Sequence, residues 1–147
     1  MYNKIRNLPQ TFDFTPTAQG IANTFDRAGI TIKPDGTLFF RNWSEAMTTD
    51  RSHAQILWNL MLKFMNGQAL TASEFLDLRA QLKAIENYKK GMDPTSAGKS
   101  AMLARQLRNE INKVAHKEIP GLDEIDAQYH KQISYLQQLK KDITYAQ

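Results

Sequence analysis

The chain has 147 residues, 41% of them hydrophobic and 23% charged, with a net charge of +4 and no cysteine. This is enough chain for one folded domain and too apolar for wholesale disorder, while the missing thiols exclude a disulfide framework, a thiolate zinc site and a cysteine nucleophile. No apolar run approaches the roughly 18 residues of a membrane span, and MYNKIRNLPQTF lacks the apolar core of a secretory signal, so cytosolic synthesis without a membrane anchor is expected.

Residues 1–15 place Tyr2, Phe12 and Phe14 among polar residues and Pro9 without sustained periodicity, which reads as an extended arm that needs a surface to lie on. Thr15-Pro16 is an N-cap and first-turn proline, Ile21 and Phe25 give a short helix one apolar face, and Gly29 stops it. Pro34-Asp35-Gly36 then separates two β-rich runs within residues 30–40 and predicts a small hairpin.

A long helix is expected from Thr49 or Asp50 to Gly67, carrying Ile56, Leu57, Leu60, Met61, Phe64 and Met65; Trp58 and Leu62 widen its stripe and mark it as the central helix. The next opens on the capping box Thr71-x-x-Glu74, continues through Phe75, Leu78, Leu82 and Ile85, and closes on Lys89-Lys90-Gly91. Residues 92–98 form a polar linker. A third helix carries Leu103, Leu107, Ile111 and Val114 up to Pro120, and a fourth carries Leu122, Ile125, Tyr129, Ile133, Leu136, Leu139 and Ile143. Their narrow seams predict an antiparallel helical hairpin. The expected fold is therefore mainly α: a bundle or hairpin of about four helices over residues 49–147, preceded over residues 1–48 by the arm, the short helix and the β-hairpin.

No catalytic, cofactor-binding or metal-ligating set emerges, and no enzyme is expected. Gly98-Lys99-Ser100 lacks the first glycine and the strand of a phosphate loop. His53, His116 and His130 do not share metal-ligand spacing, and His116 suits a helix C-terminus. Asp123, Glu124 and Asp126 suit a helix N-terminus. Residues 79–117 hold nine Lys or Arg against three acids, a local +6. Within that stretch Lys89, Lys90, Lys99, Arg105 and Arg108 form a candidate ridge for nucleic acid or an acidic partner, the alternative to a solvated helix face.

The order of pieces carries a resemblance: Gly36-Thr-Leu-Phe-Phe40, Leu57-Trp-Asn-Leu60, Leu76-Asp-Leu-Arg-Ala-Gln-Leu82, Ala97-Gly-Lys-Ser100, Leu103-x-x-Gln106-Leu-Arg108-x-x-Ile111 and Ile119-Pro-Gly-Leu-Asp-Glu-Ile-Asp-Ala-Gln-Tyr129. It resembles a loosely defined group of tailed-bacteriophage virion proteins, in which a short β segment precedes helices and an Arg-containing helix leads through a Pro-Gly turn to an acidic helix with a tyrosine. The resemblance spans residues 30–140 and implies a non-enzymatic structural role in the virion, in capsid, neck, tail or fibre, as a homo-oligomer in a symmetric assembly with other virion proteins. The contacts expected on this reading are Phe12 and Phe14 in the arm, Leu38, Phe39 and Phe40 in the hairpin, and the exposed side of the fourth helix with Tyr135 and Tyr145. The alternative is a small basic nucleic-acid-binding or DNA-packaging accessory protein.

Overall fold

The fold comes from a computed structural model that describes residues 1–88 and 98–146, with side chains through residue 143. It is mainly helical. In chain order the elements are α1 (Asn3–Arg6), β1 (Thr11–Asp13), a 3-10 turn (Thr15–Thr17), α2 (Ala18–Arg27), β2 (Ile30–Ile32), β3 (Leu38–Phe40), α3 (Thr48–Met65), β4 (Ala69–Thr71), α4 (Ala72–Asn87), α5 (Lys99–Glu118) and α6 (Leu122–Ala146).

The N-terminal arm is not a free appendage. Its residues 11–13 form β1, which pairs antiparallel with β4, setting Phe12 opposite Leu70. That pairing carries Phe14 into the interior, where its ring stacks on Phe75 at 5.3 Å and meets the edge of Phe64 at 5.4 Å. Ile5 on α1 is also buried, and one continuous core runs from it through Phe25, Leu57, Met61, Phe64, Phe75 and Leu82 to Leu103, Leu107 and Leu122. Residues from both 1–48 and 49–147 contribute to that core. Each fully buried Phe contributes about 2–3 kcal/mol over an exposed one, so the arm is held by its own hydrophobic free energy.

The hairpin forms where the turn residues predict it. β2 and β3 pair with Ile30 opposite Phe40 and Ile32 opposite Leu38, and Asp35 Oδ1 accepts hydrogen bonds from the backbone N–H of Thr37 at 3.0 Å and its hydroxyl at 2.7 Å. Gly36 takes φ +86°, a left-handed value that favours glycine. The capping box at α4 is complete: the Glu74 N–H donates to Thr71 Oγ1, and the Thr71 N–H donates to Glu74 Oε1, each at 3.1 Å.

One expectation about the helices is corrected, that of an α5–α6 hairpin. α3 is covered on several sides, packing on α2, α4 and α5 with Trp58 buried and Ile56 and Leu62 exposed, and α5 packs on α2, α3 and α4. The seam of α5, Leu103, Leu107, Ile111 and Ala115, is consumed by those neighbours. α6 therefore has no free face of α5 to fold back on, and α5 and α6 meet only near their junction. The predicted antiparallel hairpin gives way to a helix that leaves the body.

Gly98-Lys99-Ser100 does begin a helix, but without a side-chain cap. The buried Ser100 hydroxyl donates instead to the buried carboxylate of Asp50 in the first turn of α3, tying the starts of α3 and α5 together. Asp50 lies inside α3, which opens at Thr48. The linker and Lys89-Lys90-Gly91 lie outside the described residues.

Candidate docking surface

The geometry that sets α6 apart starts at Ile119-Pro120-Gly121. Ile119 is extended and ends α5, proline cannot continue the helix, and Gly121 at φ +81° turns the chain. Leu122 is buried and Ile125 half-buried against the body. One turn on from Leu122, Asp126 sits at the hub of a polar cluster built from α4, α5, α6 and the N-terminal segment.

Arg79 of α4 donates to Asp126 twice, Nη1 to Oδ2 at 2.7 Å and Nη2 to Oδ1 at 3.0 Å, while Nη1 also donates to Asn112 Oδ1 at 3.1 Å. The Tyr2 hydroxyl donates to Oδ1 at 2.5 Å, and His116 Nε2 lies 2.6 Å from Oδ2. An ionised carboxylate only accepts, so Nε2 carries the proton, leaving Nδ1 facing Asp123 Oδ1 at 3.6 Å. The Arg79 guanidinium is packed over the Phe75 and Tyr2 rings at 5.4 and 5.7 Å. Burial opposes ionisation of Asp126, but the hydrogen bonds from Arg79, Tyr2 and His116 outweigh it and hold the carboxyl below the ordinary range. Burial, then the hydrogen bond to Asp126, pushes the Tyr2 phenol up to about 12. The sequence assigned Asp126 and His116 to helix-dipole roles; the Arg79 that pairs with Asp126 lies 47 residues away and leaves no local signature.

Beyond this anchor the Tyr129 ring meets the Tyr2 ring edge-on at 6.1 Å. Every residue from Ala127 to Ile143 is exposed, including Tyr129, Ile133, Tyr135, Leu136, Leu139 and Ile143, with Leu136 at 58% and Ile143 at 60%. At 1.5 Å per residue the 25-residue helix is about 37 Å long, most of it a bare amphipathic rod. Exposed apolar residues in such a continuous row mark an interaction surface more than a random scatter does.

The other expected contacts divide sharply. Phe12 and Phe14 are core residues and are unavailable to a neighbour; the arm covers them with its own parent domain. Phe40 turns inward onto Trp43 at 4.9 Å with Arg51 over its face, whereas Phe39 points outward, half its surface exposed, with Lys33 over its ring at 5.7 Å. Leu38 is half-buried against the core. Tyr135 is the most exposed of the set at 65%, and the Tyr145 side chain lies outside the described residues.

Two residues of the candidate basic ridge have partners within the body. Arg108 donates to Glu86 through Nε at 3.0 Å and Nη2 at 3.2 Å, stapling α5 to α4. Lys99 Nζ donates to the Asn42 carbonyl at 2.8 Å and lies over Trp43. Arg105 alone of the described ridge residues is exposed without an ion pair among the described residues, and Lys89 and Lys90 lie outside them. An open groove of about 570 Å³ runs between α2 and α5, lined by Arg27, Trp43, Lys99, Gln106 and Glu110, with Glu110 engaged by Lys113 at 3.2 Å. No group of three or more His, Asp or Glu suited to a metal ion occurs among the described residues, and no described helix is long and apolar enough to cross a membrane.

Comparison with known proteins identifies no relative: no protein-family model, no curated protein and no solved structure matches the chain.

Proposed function

We propose that this chain is a non-enzymatic structural component of a tailed-bacteriophage virion, and that α6 is the element through which it joins the assembly. The observation that carries the reading is the apolar row from Tyr129 to Ile143, exposed along a helix whose base is locked to the body by Asp126. A locked base fixes the direction in which the row is presented, which lowers the entropic cost of docking. The virion setting rests on the sequence resemblance. The row replaces the arm as the leading contact, with Phe39 as a smaller outlying one.

The test is incorporation. Leu136→Asp on α6, in a chain whose circular dichroism and melting temperature are unchanged, is expected to abolish incorporation into particles; Phe39→Ser is expected to reduce it less. Normal incorporation of the Leu136→Asp chain would overturn the role of α6. For the nucleic-acid alternative the discriminating measurement is a salt titration. Phosphate-driven binding must weaken steeply with salt and with Arg105→Ala, and such behaviour would displace the assembly reading.

A further inference from the structure

We infer that the occupant of the α6 row is the α6 of a second copy of this chain, running antiparallel to the first. This deepens the docking reading above and rests on it.

The periodicity names the kind of partner. Leu122, Tyr129, Leu136 and Ile143 recur every seven residues, and Ile125, Gln132 and Leu139 recur every seven between them. A strict heptad is the pattern of one helix packed along another, because only a partner helix winding with it keeps a 3.5-residue repeat in contact. A flat sheet or an irregular groove imposes no such repeat. The row starts inside the body at Leu122 and Ile125 and continues in the same register past its edge, so a second helix laid on it extends the existing core.

Charge selects the partner and its direction. The first turn of α6 carries Asp123 and Glu124, and its distal half carries Lys140 and Lys141 beside Asp142, leaving the first end net acidic and the distal end net basic. Two parallel copies set acid beside acid and lysine beside lysine, whereas two antiparallel copies bring each acidic end to a basic end and oppose the helix dipoles. The heptad then sets the register. Ile125 faces the second copy's Ile143, Tyr129 its Leu139, and Gln132 its Leu136. The flanking positions place Ile133 against the second copy's Ile133 and Tyr135 against its Tyr135, on either side of the two-fold axis. Asp126, held in its own chain by Arg79, Tyr2 and His116, falls level with Lys140, and Gln128 with Asp142, so no flanking pair brings like charges together. Such a self-complementary patch is what a two-fold dimer requires.

The chain has no cysteine, so single introduced cysteines report the geometry directly in the full-length protein. Under mild oxidation Ile133→Cys and Tyr135→Cys are expected to give disulfide-linked dimers. Tyr129→Cys and Leu139→Cys are expected to stay monomeric, because antiparallel copies separate each of them from its own counterpart by about 15 Å along the axis. Light scattering across a concentration series is expected to show a dimer, with Leu136→Asp weakening association at least tenfold. Cross-linking at Tyr129→Cys and Leu139→Cys but not at Ile133→Cys would mean a parallel pair and overturn the inference. A wild-type chain that is monomeric throughout the series would overturn it too. If Leu136→Asp still blocks incorporation in that case, the docking role of α6 survives with another partner, so the two failures are distinguishable.

Discussion

Arg79 and Asp126 form the bidentate pair that fixes where α6 leaves the body, with both contacts at or below 3.0 Å and side chains only 15% and 19% exposed. The pair joins α4 to α6, which otherwise have little packing in common. Charge-assisted hydrogen bonds of this kind are roughly twice as strong as neutral ones, and removing Arg79 leaves a partly buried carboxylate without its cationic partner, held by Tyr2 and His116.

Arg79→Ala is therefore expected to destabilise the chain by about 2–3 kcal/mol, seen as a drop of about 1 M in the urea midpoint. Arg79→Lys restores the charge but not the fork, and is expected to recover less than half of the loss. An Arg79→Ala midpoint equal to wild type would show that the pair is a surface ornament.

The same cluster sets the pH response at both ends. Asp126 has its pKa depressed in the folded chain, so its contribution is present above the ordinary aspartate value near 3.9 and is lost as pH falls through the lower folded value. Tyr2 is raised to about 12, so its contribution is complete below the ordinary tyrosine value of about 10 and disappears as pH climbs toward 12. Melting temperature against pH is expected to fall at both extremes. Asp126→Asn should flatten the acid limb and Tyr2→Phe the alkaline limb, and each should also make the other limb shallower, because the two groups share a hydrogen bond and shift one another.

Burial of Phe14 changes what an N-terminal deletion should do. Removing residues 1–14 takes away Ile5, Phe12 and Phe14 from the core and leaves β4 without its partner strand. Phe14→Ala alone is expected to cost about 3–5 kcal/mol, a large share of the 5–15 kcal/mol available to a domain. The deleted chain is expected to lose cooperative thermal unfolding. A deletion that still melts sharply near the wild-type temperature would show that the arm is dispensable for folding.

Local signals were legible and distant ones were not. The Thr71–Glu74 box, the turn at Pro34-Asp35-Gly36 and the stop at Pro120 act within a few residues, and each lies where the sequence places it. β1 is three residues long and meets β4 nearly sixty residues later, so nothing within Thr11–Asp13 announces a strand. The engagement of Arg108 was hidden for the same reason: Arg108 and Glu86 are 22 residues apart, and a tally of charges cannot see that they meet. For α6 the heptad was legible, but the row reads identically whether α5 covers it or not. What decides the matter is that α5 has already spent its apolar face on α2, α3 and α4.

Two glycines separate crowding from backbone geometry. At Gly20, within α2, an added Cβ would come 2.3 Å from Glu110 Oε2, the far end of a flexible side chain that can swing away. Moving Glu110 disturbs a pair with Lys113 whose lysine is 69% exposed, worth about 0–1 kcal/mol, while alanine gains about 1 kcal/mol of helix propensity over glycine. Gly20→Ala is expected to be neutral or to raise the melting temperature by about 1–2 °C. At Gly121 the space is ordinary, with Ile5 Cδ1 at 3.5 Å from an added Cβ, but φ is +81°. Gly121→Ala is expected to cost about 1–2 kcal/mol and to lower the melting temperature by about 2–6 °C. Opposite signs for the two substitutions would establish that the turn into α6 is held by backbone conformation rather than by room for a methyl group; a comparable loss at both would point to packing at each.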